Sequence, residues 1–383
     1  MIQHLYIHIP FCHRRCAYCD FNTYANMDDR IEAYVQALCA ELAMLDGRRR
    51  TEGDDSGTVL RPTIFFGGGT PTMLSLDQFE RILAAASAIV PLAGAEITTE
   101  ANPGTVLGRG YLRGLRELGI NRISMGVQSL HDPTLRVLGR IHTAAEAQAS
   151  FADARTAGFE NINIDFIFGL PGQTPEDWQA DLKTLAGWGA DHLSLYSLIL
   201  EPSTPLYAQV TAGRVSIPDD DATATMYEAA IEQLPNYGYS QYEISNWTRD
   251  DRQCQHNLAY WHNADYLAAG AGAHGHRFPQ RYANILGIDD YIRAVRAGEL
   301  PVAETTALSE RDLYAETMFM GLRLNAGVRF DHFAARCGRP MQEVFEVVLG
   351  ALEAKGLIVR DTIGVQLTER GRMLGNQVFA EFV

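Results

Sequence analysis

Two observations in the 383-residue sequence predict an α/β fold, either a β/α barrel or a doubly wound parallel sheet. Six short apolar, β-rich runs recur through the first half, at residues 4–9, 63–66, 96–100, 122–127, 161–168 and 192–199, and each is followed by a helical pattern. Strands alternating with helices build parallel sheets. The runs are also nearly continuous in apolar character, as in Ile164, Phe166, Ile167 and Phe168, which suits strands covered on both faces.

The helices between the runs carry their own signals. Asp28 is placed to cap a helix with the stripe Ile31, Val35, Leu38, Leu42 and Leu45, ending near Gly47. Residues 48–61, RRRTEGDDSGTVLR, are polar and read as a solvated, mobile loop. Ser75-Leu76-Asp77-Gln78 forms a capping box ahead of Phe79, Ile82, Leu83 and Ala86. Thr174-Pro175 puts a cap residue before a first-turn proline, with Trp178, Leu182 and Leu185 at helical spacing. From about residue 301 the texture is helical without strand alternation, and Val344, Val347, Val348, Ala351 and Leu352 are expected to share one stripe. Residues 356–359, a turn at 361–364 and residues 365–367 read as a small hairpin, so the end of the chain predicts a small, mostly helical, winged-helix-like domain at 300–383 after a first domain at 1–285.

Composition excludes several classes. Hydrophobic residues make up 46% and charged residues 21%, ordinary for a globular chain. No apolar run reaches the roughly 18 residues that cross a bilayer, and the start lacks a signal pattern, so a cytoplasmic protein without an integral membrane segment is expected. A formal charge of −15 opposes nonspecific nucleic-acid binding. The winged-helix-like end, with 9 Lys+Arg against 10 Asp+Glu from Thr305 to Val383, lacks a basic footprint as well.

Cys12, Cys16 and Cys19 cluster in a C-x3-C-x2-C spacing, while Cys39, Cys254 and Cys337 are scattered and read as small apolar residues. Pro10 and the polar run His13-Arg14-Arg15 oppose a helix, so the triplet is expected in a loop around one metal centre. Zinc would need a fourth ligand, for which His8 and His13 are nearest. An iron–sulfur cluster held by three cysteines would keep one iron open for an exchangeable ligand.

Ligands in such folds bind at the carboxyl ends of the strands. Cys12 follows the first run, Gly67-Gly68-Gly69-Thr70-Pro71 the second, Glu100-Ala101-Asn102-Pro103 ends the third and Gln128 the fourth. Asp165 lies in the fifth, ahead of Gly169-Leu170-Pro171-Gly172. The triple glycine lacks dinucleotide or P-loop spacing and reads as a place of close backbone approach.

Together these residues resemble the radical S-adenosylmethionine superfamily over about the first 280 positions, which implies a partial, open β/α barrel. The resemblance implies that Cys12, Cys16 and Cys19 hold a 4Fe-4S cluster and that S-adenosylmethionine chelates its fourth iron. It further implies that Gly67-Gly68-Gly69 receives the methionine amino group, that Tyr18 lies beside the adenine, and that Tyr6, Gly67, Gly68, Glu100, Gln128, Arg140 and Asp165 line the cofactor pocket. An electron donor such as flavodoxin or ferredoxin would reduce the cluster. The motifs Leu5-Tyr6-Ile7-His8-Ile9-Pro10-Phe11-Cys12, Ser124-Met125-Gly126-Val127-Gln128 and Asn163-Ile164-Asp165 are similar to those of oxygen-independent coproporphyrinogen III oxidases and their HemW-type paralogues. Oxidases of this group hold two S-adenosylmethionine molecules, carry a further cysteine where Asp20-Phe21 stand here, and have a longer segment before the cluster loop.

The segment His256-Asn257-Leu258-Ala259-Tyr260-Trp261 matches the H-N-x-x-Y-W motif of the HemW-type proteins, understood as haem-binding chaperones. By that resemblance His256, Tyr260 and Trp261 bind haem, which is passed to an acceptor protein. Imidazole is a common axial ligand for haem iron, and aromatic rings offer flat apolar surface. On a helix Tyr260 would stand one turn from His256. A helix cap followed by two core aromatics is the structural alternative. His262, His274 and His276 are rival ligands nearby, and Gly270-Ala271-Gly272-Ala273-His274-Gly275-His276 reads as a flexible, backbone-exposing stretch.

Overall fold

A computed structural model describes residues 2–49, 60–104 and 108–383. Six strands follow the apolar runs: β1 (His4–Ile9), β2 (Thr63–Gly68), β3 (Glu96–Ala101), β4 (Arg122–Gln128), β5 (Ile162–Phe168) and β6 (His192–Ser197). Each pairs in parallel with the next, so their carboxyl ends gather along one rim. The sheet extends through β7 (Ser240–Glu243), β8 (Asn246–Thr248) and β9 (Leu267–Ala269) into nine strands in the order β9-β1-β2-β3-β4-β5-β6-β8-β7. Strand β9 is parallel to β1, and β8 is antiparallel to β6. The terminal strands β9 and β7 are not hydrogen-bonded neighbours, so the barrel is open.

Helices cover the outer face because their apolar stripes match the strands' outward side chains. The capping box at Ser75 with Gln78 forms, and the cap at Thr174 forms too, as part of a capping box with Asp177. The stripe from Ile31 to Leu45 is buried, but Asp28 begins a 3-10 turn, Asp28–Arg30, and makes no side-chain cap. The helix Ile31–Arg49 also runs through Gly47, because glycine ends a helix only where the chain turns left-handed. Of the expected mobile loop, residues 48–49 are helical and residues 50–59 lie outside the described residues.

Beyond the barrel, β10 (His274–Arg277), β11 (Gln280–Asn284) and β12 (Val302–Ala307) form an antiparallel sheet. Residues just past 301 are therefore a strand, exposed along its length, rather than helix. A second apolar core begins at Leu313 and runs to Phe382. There β13 (Val328–Arg329), β14 (Ile358–Arg360) and β15 (Gly364–Leu367) pair beside helices, including the expected hairpin. On the helix Met341–Ala354 the buried positions are Met341, Phe345, Leu349 and Leu352, and Val347 is 86% exposed. The helix is apolar on two faces, so sequence alone did not set the phase of its stripe.

Candidate functional site

The loop after β1 carries the three cysteines without forming a helix. Its ends are tied by backbone bonds, Tyr24 N to Pro10 O at 2.7 Å, Gly69 N to Ile9 O at 2.8 Å and Thr70 N to Phe11 O at 2.7 Å. Its middle is tied by Ala17, which donates to Leu138 O and accepts from Leu206 N, both at 2.8 Å. Glycine is required where β2 meets this loop: a Cβ on Gly69 would lie 2.5 Å from Phe11 O, and Gly68 has φ +112° with the His8 ring 2.6 Å from its Cβ position.

The loop closes one side of a cavity of about 510 Å³ at the carboxyl rim of the strands. Cys12, Cys16 and Cys19 line it together with Tyr18, Gly68, Glu100, Gln128, Arg140 and Asp165. Six of the eight residues expected around S-adenosylmethionine thus meet there. Tyr6 faces a neighbouring cavity instead, and a Cβ on Gly67 would lie 3.0 Å from the rings of Tyr6 and Phe65.

Polar groups in the cavity are held in fixed orientations. Arg140 donates to Gly126 O at 2.6 Å, Asn102 Oδ1 at 2.7 Å and Cys16 Sγ at 3.4 Å. Asn102 in turn donates to Thr70 Oγ1 at 2.7 Å, and that hydroxyl reaches Cys12 Sγ at 3.8 Å. Asp165 accepts from Ser124 Oγ at 3.0 Å and Asn163 Nδ2 at 2.8 Å. Glu100 accepts from Gly68 N at 3.0 Å; burial, reinforced by the nearby Asp165 charge, pushes its carboxyl up to about 8, so it is largely protonated at neutral pH. Gln128 ends β4 at a bulge with φ +69°, strain of the kind that collects at functional sites.

The donor set fits an iron–sulfur cluster. Burial raises the Cys12 thiol to about 11 and the Cys19 thiol in the same direction, so both are neutral until a metal displaces their protons. Three soft sulfur ligands facing one cavity, with bare glycine backbone opposite, match such a centre. His8 is committed away from any zinc: its Nε2–H donates to Asn22 O at 2.9 Å, and its Nδ1 accepts from Tyr6 Oη at 3.0 Å. Among the described residues no three His, Cys, Asp or Glu converge on a single ion.

The helix Gln255–Trp261 brings His256 and Tyr260 together as the spacing predicts, Nε2 to Oη at 2.9 Å. His256 is 1% exposed, its Nδ1 is 2.7 Å from Thr63 Oγ1, and burial holds it well below the usual histidine range. Both ring nitrogens are therefore engaged inside the protein. Trp261 turns to another side, where the Arg323 guanidinium sits 4.6 Å from its ring. The glycine-rich segment after β9 is packed rather than flexible: residues 270–273 are buried, and a Cβ on Gly270 would lie 2.5 Å from His8 O.

Residues 6–185 match the Radical SAM superfamily, and residues 308–374 match the HemN C-terminal domain. Across 99% of its length the chain is 39% identical to the heme chaperone HemW of Bacillus subtilis (strain 168), covering 98% of that protein. The chain belongs to the HemW-type family of the radical S-adenosylmethionine superfamily. The heme chaperone HemW of Lactococcus lactis is 35% identical over 99% of this chain and 96% of its own. The solved coproporphyrinogen III oxidase HemN of Escherichia coli, a radical SAM enzyme, superposes with a TM-score of 0.83 at 25% identity, over 100% of this chain and 90% of that one. Membership of the superfamily implies a 4Fe-4S cluster and S-adenosylmethionine.

Sequence reasoning did not single out Asn102, Ser124, Asn163 or Tyr196 as site residues. Asn163 binds Ser124, Asp165 and the buried His192 at once, and its position in the strand before Asp165 was the available sign. Tyr196 lines the cavity from the end of β6, where strand-end position alone could have marked it.

Proposed function

We propose that this HemW-type protein is a haem chaperone, binding haem beside a 4Fe-4S cluster with S-adenosylmethionine and handing the haem to an acceptor protein. The observation that carries this reading is end-to-end similarity, at 39% identity over 99% of the chain, to a protein named as a heme chaperone. In this reading Cys12, Cys16 and Cys19 hold the cluster, and the Gly68–Gly69 backbone and Gln128 hold the methionine end of the cofactor. Tyr18 would lie beside the adenine and Asp165, held by Ser124 and Asn163, would line the pocket, while Arg140 steadies the loop through Cys16 and Gly126. When bound, the cluster and S-adenosylmethionine supply one-electron cleavage of a sulfonium C–S bond.

A second reading, oxygen-independent coproporphyrinogen III oxidation, has the full-length likeness to HemN in its favour. Anaerobic reconstitution separates the two. A chaperone should hold about four irons and four sulfides per chain, take up about one haem, and yield it to an apo-acceptor. Turnover of coproporphyrinogen without stoichiometric haem uptake would establish the oxidase instead.

A further inference from the structure

Ser124, Asn163 and His192 are cross-strand neighbours on β4, β5 and β6, and Asp165 stands one row nearer the carboxyl rim, beside Ser194. The three neighbours are buried inside the barrel. Asp165 lines the cofactor cavity from the row above, whereas His192 lines neither that cavity nor the one that Tyr6 faces. A buried row of polar side chains is stable only where its donors and acceptors are matched.

The matching has a direction, set from one end. The Cys254 N–H, just ahead of the helix Gln255–Trp261, can only donate, and it reaches Tyr242 Oη at 3.3 Å. Tyr242, on β7, spends its single proton on His192 Nε2 at 2.9 Å. Burial, with the Arg122 charge nearby, holds His192 well below the usual histidine range, so the ring carries one proton, on Nδ1. That proton goes to Asn163 Oδ1 at 2.6 Å, an oxygen that also accepts from Ser194 Oγ at 3.1 Å. With its oxygen so claimed, Asn163 presents its NH2 to the other side, donating to Ser124 Oγ at 2.7 Å and Asp165 Oδ1 at 2.8 Å. Ser124 in turn gives its proton to Asp165 Oδ2 at 3.0 Å. Both carboxylate oxygens therefore meet donors whose orientation is decided two strands away. A flipped Asn163 amide would set a carbonyl against the carboxylate and push Asp165 out of this pose.

We propose that His192 is a positioning residue for the cofactor cavity: its Nδ1–H fixes the Asn163 amide, and that amide aims the Asp165 carboxylate at S-adenosylmethionine. The assignment rests on the reading above that puts Asp165 in the cofactor pocket. Two substitutions separate this role from packing. Asparagine can place an amide nitrogen where Nδ1 stands but is smaller than histidine; glutamine comes nearer the bulk of the ring but places its nitrogen where Nε2 stands. Packing therefore favours His192→Gln, and positioning favours His192→Asn. Full-length native protein and both variants are reconstituted anaerobically, iron is measured on each sample, and S-adenosylmethionine affinity is read by equilibrium dialysis. At equal iron loading, His192→Asn should bind within about twofold of native and His192→Gln about fivefold or more weakly. The reverse order overturns the inference, since bulk alone would then matter. Native affinity in both variants overturns it, as does equal weakening in both, and each of these leaves the cofactor reading standing. Should His192→Gln fail to fold, His192→Asn decides alone: native affinity supports the inference, and weakened affinity in a folded, iron-loaded protein overturns it. Native protein that loads iron yet takes up no S-adenosylmethionine overturns the cofactor reading and the inference with it.

Discussion

Glu41 provides a test of how the segment over the barrel rim is anchored. It lies buried in the helix Ile31–Arg49, where its carboxyl accepts from Gly270 N at 2.8 Å, Asn284 Nδ2 at 2.6 Å and Tyr291 Oη at 2.6 Å. It thereby holds the turn that leads from β9 to His274. Burial raises this carboxyl to about 7 despite the three donors. The native state therefore binds more protons than the unfolded chain between about 4.5, the ordinary glutamate value, and about 7. Stability should fall as pH rises through that window and level off above it. At 1.36 kcal/mol per pH unit, the interval amounts to about 3 kcal/mol. Glu41→Gln keeps the size of the side chain and removes the titration. Urea unfolding of both proteins from about pH 5 to about pH 8 should show the native stability falling by about 3 kcal/mol relative to that of the variant as pH rises. Curves separated by a constant gap would refute the raised carboxyl and the anchoring argument built on it.

Gly68→Ala should lower stability by about 1–3 kcal/mol in thermal unfolding, since its φ is left-handed and its Cβ would strike the His8 ring. The same variant should weaken S-adenosylmethionine binding in equilibrium dialysis, because Gly68 lines both cavities. Leu349→Ala should cost about 2–5 kcal/mol, whereas Val347→Asp on the opposite face should stay within about 0.5 kcal/mol, both read by denaturant midpoints. Cys16→Ala should leave the fold intact by circular dichroism while anaerobic reconstitution loads far less iron, since a part-exposed thiol contributes little packing.

The parallel strands were legible because each is covered on both faces, and continuous apolar runs such as Ile164 to Phe168 have few other uses. The capping box at Ser75 and the cap at Thr174 were legible because their signals lie within one turn. The phase of the Met341–Ala354 stripe was not, since valines at 344, 347 and 348 make two faces look alike. The site was readable only where chemistry and position coincide, as at Cys12, Cys16, Cys19 and Glu100. The bulge at Gln128 and the Asn102 bridge between Arg140 and Thr70 depend on which strand lies beside which. The glycines after β9 looked like a sign of flexibility, yet Gly270 and Gly272 are there because His8, Tyr34 and Asn22 crowd them.

The strand at one edge of the sheet, β9, comes late in the chain yet pairs with β1, the earliest. During synthesis the cofactor cavity has all of its walls once residue 201 has left the ribosome, whereas the neighbouring one that Tyr6 faces waits for Leu286. At about 5–20 residues per second the interval between them is several seconds. For that time the cysteine loop is flanked by an unpaired strand edge, so newborn chains expose the sulfur side of the molecule before the chamber beside it is walled in.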